Sequence, residues 1–175
     1  MIFMKPFEQD KVKQLLEILQ KKPTQRIVHF TTSSHILTKY LHQLSQTHNH
    51  DYYLYCNKDV FYDKSMTKYA DQSNIRIFKF DLHSPRYMVQ PIEFDYLIAT
   101  LDFTEEDKGE FLGKCSPLIR TGGTIMIIIP NSRYTERDEW KNILQKQYYT
   151  SVNIIDDLFE HYDVIIAKRV HVQEI

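Results

Sequence analysis

Five short runs rich in β-branched and aromatic residues punctuate this chain, at Arg26 to Thr31, Tyr52 to Cys56, Ile75 to Phe80, Phe94 to Thr100 and Thr124 to Ile129. Most of the intervals between them carry apolar residues at helical spacing. That alternation predicts an α/β sheet with mostly parallel strands, because each strand must return through a helix packed on the sheet. After the first run, Ile36, Leu37, Tyr40, Leu41 and Leu44 form one stripe, with Ser34 as the candidate N-cap. A helix from about residue 59 to 71 follows the second run. Pro85 and Pro91 restrict residues 82–93 to a loop or a single turn. Thr104-Glu105-Glu106-Asp107 opens a helix running toward Ile119, its acidic first turn matched to the macrodipole. Arg120-Thr121-Gly122-Gly123 then reads as a turn, with glycine where a helix C-cap needs positive φ.

Trp140, Ile143, Leu144 and Tyr148 mark a helix over about 133–148. The last two strand-like runs, Ser151 to Ile155 and Asp163 to Val170, are separated by too few residues for a crossover, which predicts an antiparallel hairpin. Ahead of the first strand, Val12, Leu15, Leu16 and Leu19 predict an amphipathic helix within about 7–22, ended by Pro23. The expected fold class is therefore α/β, a doubly wound, mostly parallel seven-stranded sheet with a C-terminal antiparallel β-hairpin. No linker or repeat interrupts it, so residues 1–175 read as a single domain.

A net charge of -1 with scattered lysines and arginines does not indicate a nucleic-acid partner, and no stretch of 18 apolar residues predicts a membrane span. The start of the chain lacks a secretory pattern, and a soluble cytoplasmic protein is expected. Cys56 and Cys115 have no ligand or redox spacing and read as buried small hydrophobes. The eight histidines form no HxxxH or HxH pattern with a third ligand, so no metal site is expected. Neither GxGxxG nor a phosphate loop is present.

The segment Phe94-Asp95-Tyr96-Leu97-Ile98-Ala99, the stretch Cys115-Ser116-Pro117-Leu118-Ile119-Arg120-Thr121-Gly122-Gly123 and the strand Thr124 to Pro130 together resemble class I S-adenosylmethionine-dependent methyltransferases. Asp163-Val164-Ile165-Ile166-Ala167-Lys168-Arg169 is similar to the last strand of that family. The resemblance implies a Rossmann-like fold and S-adenosylmethionine as the small-molecule cofactor, bound above strands one, two and four. Family members place a glycine-rich turn after the first strand. Here all four glycines lie between residues 109 and 123, and the turn is Phe30-Thr31-Thr32-Ser33-Ser34-His35. Thr31, Thr32 and Ser33 are then the candidate contacts to the cofactor's methionine part, through hydroxyls and the amides of the next helix.

By the same resemblance Asn57 stands at the ribose position, with Asp59 two residues on, and Asp81 with Leu82 at the adenine position. Thr100 and Asp102 fall where the fourth strand meets the substrate, and Asp102 is the candidate catalytic base or acceptor-orienting residue. Tyr87, Phe103 and Tyr134 are expected in loops at the same edge, where they could stack on a base. Two functions follow: a methyltransferase of unknown acceptor, or a methyltransferase-like domain without catalysis that serves as a binding or scaffold subunit. The second draws on the crowded first turn and assigns a protein partner to the N-terminal helix.

Overall fold

The computed structural model describes residues 8–19, 22–32, 35–88, 92–104, 107–130, 135–155 and 161–170, without the side chains of Ile18, His35 and Thr135. The strands are β1 (Arg26–Thr31), β2 (Asp51–Cys56), β3 (Ile75–Lys79), β4 (Phe94–Thr100), β5 (Ile119–Pro130), β6 (Tyr149–Ile155) and β7 (Tyr162–Arg169). They form one sheet in the order β3-β2-β1-β4-β5-β7-β6. The first five pair in parallel, and β7 runs antiparallel between β5 and β6, so the expected hairpin is present. Position explains composition. The central strands β1 and β4 bury nearly every residue, as helix-covered parallel strands must, whereas the edge strand β3 buries just Ile75.

Helices α1 (Gln9–Ile18), α2 (His35–His48) and α3 (Asp59–Tyr69) cover one face, and α4 (Asp107–Cys115) and α5 (Thr135–Lys146) the other. The alternation of strand side chains sorts the core accordingly. Ile27, Tyr52, Ile98 and Met126 pack with Val12, Leu15, Leu37 and Leu41 on the first face, while Val28, Phe30, Leu97 and Ile127 pack with Phe111, Leu112, Trp140 and Leu144 on the second. The apolar stripe of α1 is thus used within the core. Both cysteines are buried, and burial pushes the Cys56 thiol up to about 12. Among the described residues no helix is long and apolar enough to cross a membrane.

One expectation is corrected. The glycine pair does not form a helix C-cap: α4 stops at Cys115, a 3₁₀ turn occupies Ser116–Leu118, and β5 is already paired at Ile119 with Phe94. The register then shifts before Thr124 meets Tyr96, making a bulge in which Gly122 takes φ +82°. Pro117 ends the helix early, leaving the glycines free to serve the strand. A β-carbon on Gly123 would stand 2.7 Å from Ile119 Cγ2 and 2.8 Å from the Arg120 carbonyl oxygen. Gly123→Ala is therefore expected to destabilise the fold by about 2 kcal/mol, overpacking being the cause. An unchanged urea midpoint in that variant would show that the bulge relaxes freely.

Candidate functional site

Strand order reverses at β1, whose neighbours β2 and β4 lead away on opposite sides, and open α/β sheets bind ligands beyond the carboxyl ends of the strands at such a point. Just inside that edge lies a buried polar ladder. Thr31 and Thr100 sit side by side in the β1–β4 register, and the Thr100 hydroxyl donates to Thr31 Oγ1 at 2.7 Å. His29, two residues back on the same face of β1, places Nε2 2.8 Å from Thr100 Oγ1 and Nδ1 2.9 Å from the Tyr52 hydroxyl. Since the Thr100 proton is committed to Thr31, His29 must donate from Nε2, and Tyr52 must donate to Nδ1. Burial holds His29 neutral, its pKa depressed to about 3, which suits this tautomer.

The hydroxyls of Thr31 and Thr100, both expected at the cofactor, are thus hydrogen-bonded to one another beneath the edge. His29 and Tyr52 are the residues that sequence reasoning missed. A signal was available for His29, a histidine within the apolar run of β1 at even spacing from Thr31, whereas Tyr52 is one of three tyrosines in β2 and carries no signal of its own.

The outer rim is built by backbone bonds that continue the sheet. Thr32 N–H donates to the Thr100 carbonyl at 3.3 Å, Asn57 N–H to the Thr31 carbonyl at 3.3 Å, and Phe80 N–H to the Cys56 carbonyl at 3.1 Å. These bring Thr32, Asn57 and Asp102 together, with Asp81 one strand further out. The half-buried Thr32 accepts the Asp102 backbone N–H on Oγ1 at 3.2 Å, so its side chain spans the gap between the ends of β1 and β4. Asp102 and Asp81 are exposed. Ser33, with Ser34 and Tyr134, lies outside the described residues.

Among the described residues, three groups on this rim are not used in the protein's own hydrogen bonding. Asn57 Oδ1 is buried with no partner. Asp81 accepts the His83 N–H on Oδ1 at 2.9 Å, closing its own turn, and receives nothing on Oδ2. The Leu82 N–H makes no hydrogen bond among the described residues, although its carbonyl accepts from the Tyr87 hydroxyl at 2.9 Å and from Lys114 Nζ at 3.2 Å. An acceptor amide oxygen, a carboxylate oxygen and an adjacent amide donor fit the hydroxyls and amino edge of a nucleoside.

Tyr87 and Phe103 are not exposed edge residues available for stacking. Both are buried, Tyr87 against Phe30, Phe80 and Phe111, and Phe103 against Phe111 and Trp140. They anchor the rim loops to the core instead. Beside them, His83, Asp107 and Glu110 bring three possible ligand atoms within 4.8 Å of one another. Lys114 Nζ lies 2.6 Å from Glu110 Oε1, and this contact, with His83, holds the Glu110 carboxyl below its ordinary range. The negative charge there already has a cation.

No protein-family model matches the sequence. No curated protein matches it either. Solved structures do match in fold. The SAM-dependent O-methyltransferase of Thermotoga maritima superposes with a TM-score of 0.74 at 16% identity, covering 99% of this chain and 69% of that one. The CurJ carbon methyltransferase gives 0.69 at 16% identity over 91% of this chain, which spans about half (52%) of its length. A phosphoethanolamine N-methyltransferase of Haemonchus contortus, in complex with phosphomonomethylethanolamine and S-adenosylhomocysteine, gives 0.71 at 10% identity, covering 93% of this chain and 53% of that one. The chain has the class I methyltransferase fold. These three neighbours differ in the atom they methylate, carbon, oxygen or nitrogen by their names, so the shared architecture does not define an acceptor.

Proposed function

We propose that this protein binds S-adenosylmethionine at the carboxyl edge of the sheet and acts as a methyltransferase. The observation that carries the reading is the trio of unclaimed groups, Asn57 Oδ1, Asp81 Oδ2 and the Leu82 N–H, at the ends of β2 and β3. Asn57 would accept a ribose hydroxyl, and Asp81 with Leu82 would hold the adenine edge. Bound S-adenosylmethionine would supply a methyl group on a sulfonium, which passes to a nucleophilic acceptor as the carbon–sulfur bond breaks, leaving S-adenosylhomocysteine. The acceptor's proton then needs a base, and the exposed Asp102 carboxylate is the candidate. Positioning does most of the work in such a displacement, so few catalytic groups are required.

Calorimetry and thermal shift with S-adenosylmethionine and S-adenosylhomocysteine test this directly. Binding in the micromolar range is expected to raise the melting temperature by mass action. Asp81→Ala is expected to weaken binding by about 10- to 100-fold, the worth of a hydrogen bond to a charged group. Asp81→Asn keeps an acceptor for the His83 amide and separates loss of the turn from loss of the charge. No shift at millimolar ligand would end the enzymatic reading.

A specific observation favours a second reading, a methyltransferase-like domain without catalysis. Thr32 fills the gap between β1 and β4 with a hydroxyl tied to the Asp102 amide, in a turn where the family has glycine. In that case neither ligand binds, and Asp81→Ala changes nothing but the turn.

A further inference from the structure

Helices α2 and α3 border a cavity of about 210 Å³ whose lining includes none of the rim residues described above. It is lined by Thr38 from α2 and by Phe61, Lys64, Ser65, Lys68 and Tyr69 from one face of α3. The small Ser65 stands between two large aromatic neighbours on that face, and so leaves a hollow between Phe61 and Tyr69 that packing does not fill.

The polar groups around this hollow are donors seeking an acceptor. Thr38 is 1% exposed, and its Oγ1 has no hydrogen-bond partner: it approaches the Tyr52 hydroxyl without reaching hydrogen-bond geometry. Lys64 and Lys68 stand one turn apart at the mouth, both exposed, and among the described residues neither ammonium reaches a carboxylate. Like charges at that spacing repel unless an anion lies between them. Lys68 is held near the opening, 5.3 Å over the Tyr69 ring. No acidic residue lines the cavity.

We infer that this cavity is a binding site for a small organic anion, with its carboxylate or phosphate held by Lys64, Lys68 and the Thr38 hydroxyl and its apolar body against Phe61 and Tyr69. Size limits the ligand. A cavity of roughly 150 Å³ accepts benzene, so a single ring or a short branched chain fits, and a nucleotide does not. The site shares no residue with the carboxyl rim and does not depend on the function proposed there.

Phenyl phosphate, benzoate, inorganic phosphate and benzyl alcohol, titrated into the ¹⁵N-labelled full chain, test the inference by amide shift perturbation. Phenyl phosphate or benzoate is expected to perturb the amides of Thr38, Lys64, Ser65 and Lys68 with a dissociation constant on the order of 1 mM, whichever anion is preferred. Inorganic phosphate and benzyl alcohol, each carrying half of the recognised chemistry, should bind at least about tenfold more weakly. Lys64→Gln with Lys68→Gln should reduce affinity by a similar factor. Thr38→Val removes an unpaired interior hydroxyl, so it should fold normally while binding less tightly. Adding S-adenosylhomocysteine should leave the perturbation in place. The inference is overturned if neither organic anion perturbs these amides by about 20 mM, if benzyl alcohol binds as tightly, or if the folded variants retain full affinity.

Discussion

Replacing His29 with leucine is expected to destabilise the protein by about 3 kcal/mol at neutral pH and, at the same time, to flatten its response to acid. The first effect follows from the ladder. Without His29, the buried Tyr52 hydroxyl loses its acceptor and Thr100 Oγ1 loses a donor while keeping its bond to Thr31; an unsatisfied buried group costs about 1–3 kcal/mol, and the weakened ladder and imperfect fit of leucine add to it. The second follows from linkage. The native ring resists protonation down to about pH 3, whereas in the unfolded chain it titrates near its ordinary value of 6.5. Between those limits the unfolded state binds the extra proton. Stability is therefore complete above pH 6.5 and declines as pH falls toward 3, at up to about 1.4 kcal/mol per pH unit. Urea denaturation at intervals from pH 7.5 to 4.5 checks both effects. His42 and His50, also held below their ordinary values by burial, supply a residual slope in the variant. An equal slope in the variant and the parent would show that His29 is not protected as its burial indicates.

The other large effect concerns Lys108, fully buried where α4 meets α5. Its Nζ lies 2.6 Å from Glu139 Oε2 and 3.3 Å from Glu136 Oε1. Lys108→Ala removes the buried cation beside the nearly buried Glu136 carboxylate and opens a void there, so a loss of about 3 kcal/mol is expected. A double variant, Lys108→Met with Glu136→Gln, removes both charges and keeps much of the volume, and should recover most of that stability. Equilibrium denaturation of the three proteins is the measurement. If the single variant unfolds at the parental midpoint, the triad contributes little. The consequence reaches the rim, because α5 carries Trp140 against Phe103, next to Asp102.

The fold was legible because its strands are short, apolar and separated by helical stripes. The glycine pair was misread for a local reason. Gly122 and Gly123 suit a C-cap as well as a bulge, and the pairing of Phe94 with Ile119, which decides between them, joins residues far apart in sequence. The candidate site was legible in part. The positions of Asn57, Asp81 and Asp102 at strand ends follow from strand boundaries alone. The link between His29 and Thr100 needs the lateral register of β1 on β4 as well as its face, and neither residue carries a motif. Tyr87 and Phe103 were placed at the surface because loop residues usually lie there; in this chain Phe80 and Tyr87, after β3, complete the core over Phe30, and Phe103, after β4, packs on Phe111 and Trp140.

Trp140 is the single tryptophan of the chain, wholly buried and 5.0 Å edge-on from Phe103. Its fluorescence is thus a native optical gauge for the loop that bears Asp102. Emission should be blue in the free protein, and any occupant that displaces that loop should alter its intensity without a dye or an engineered label.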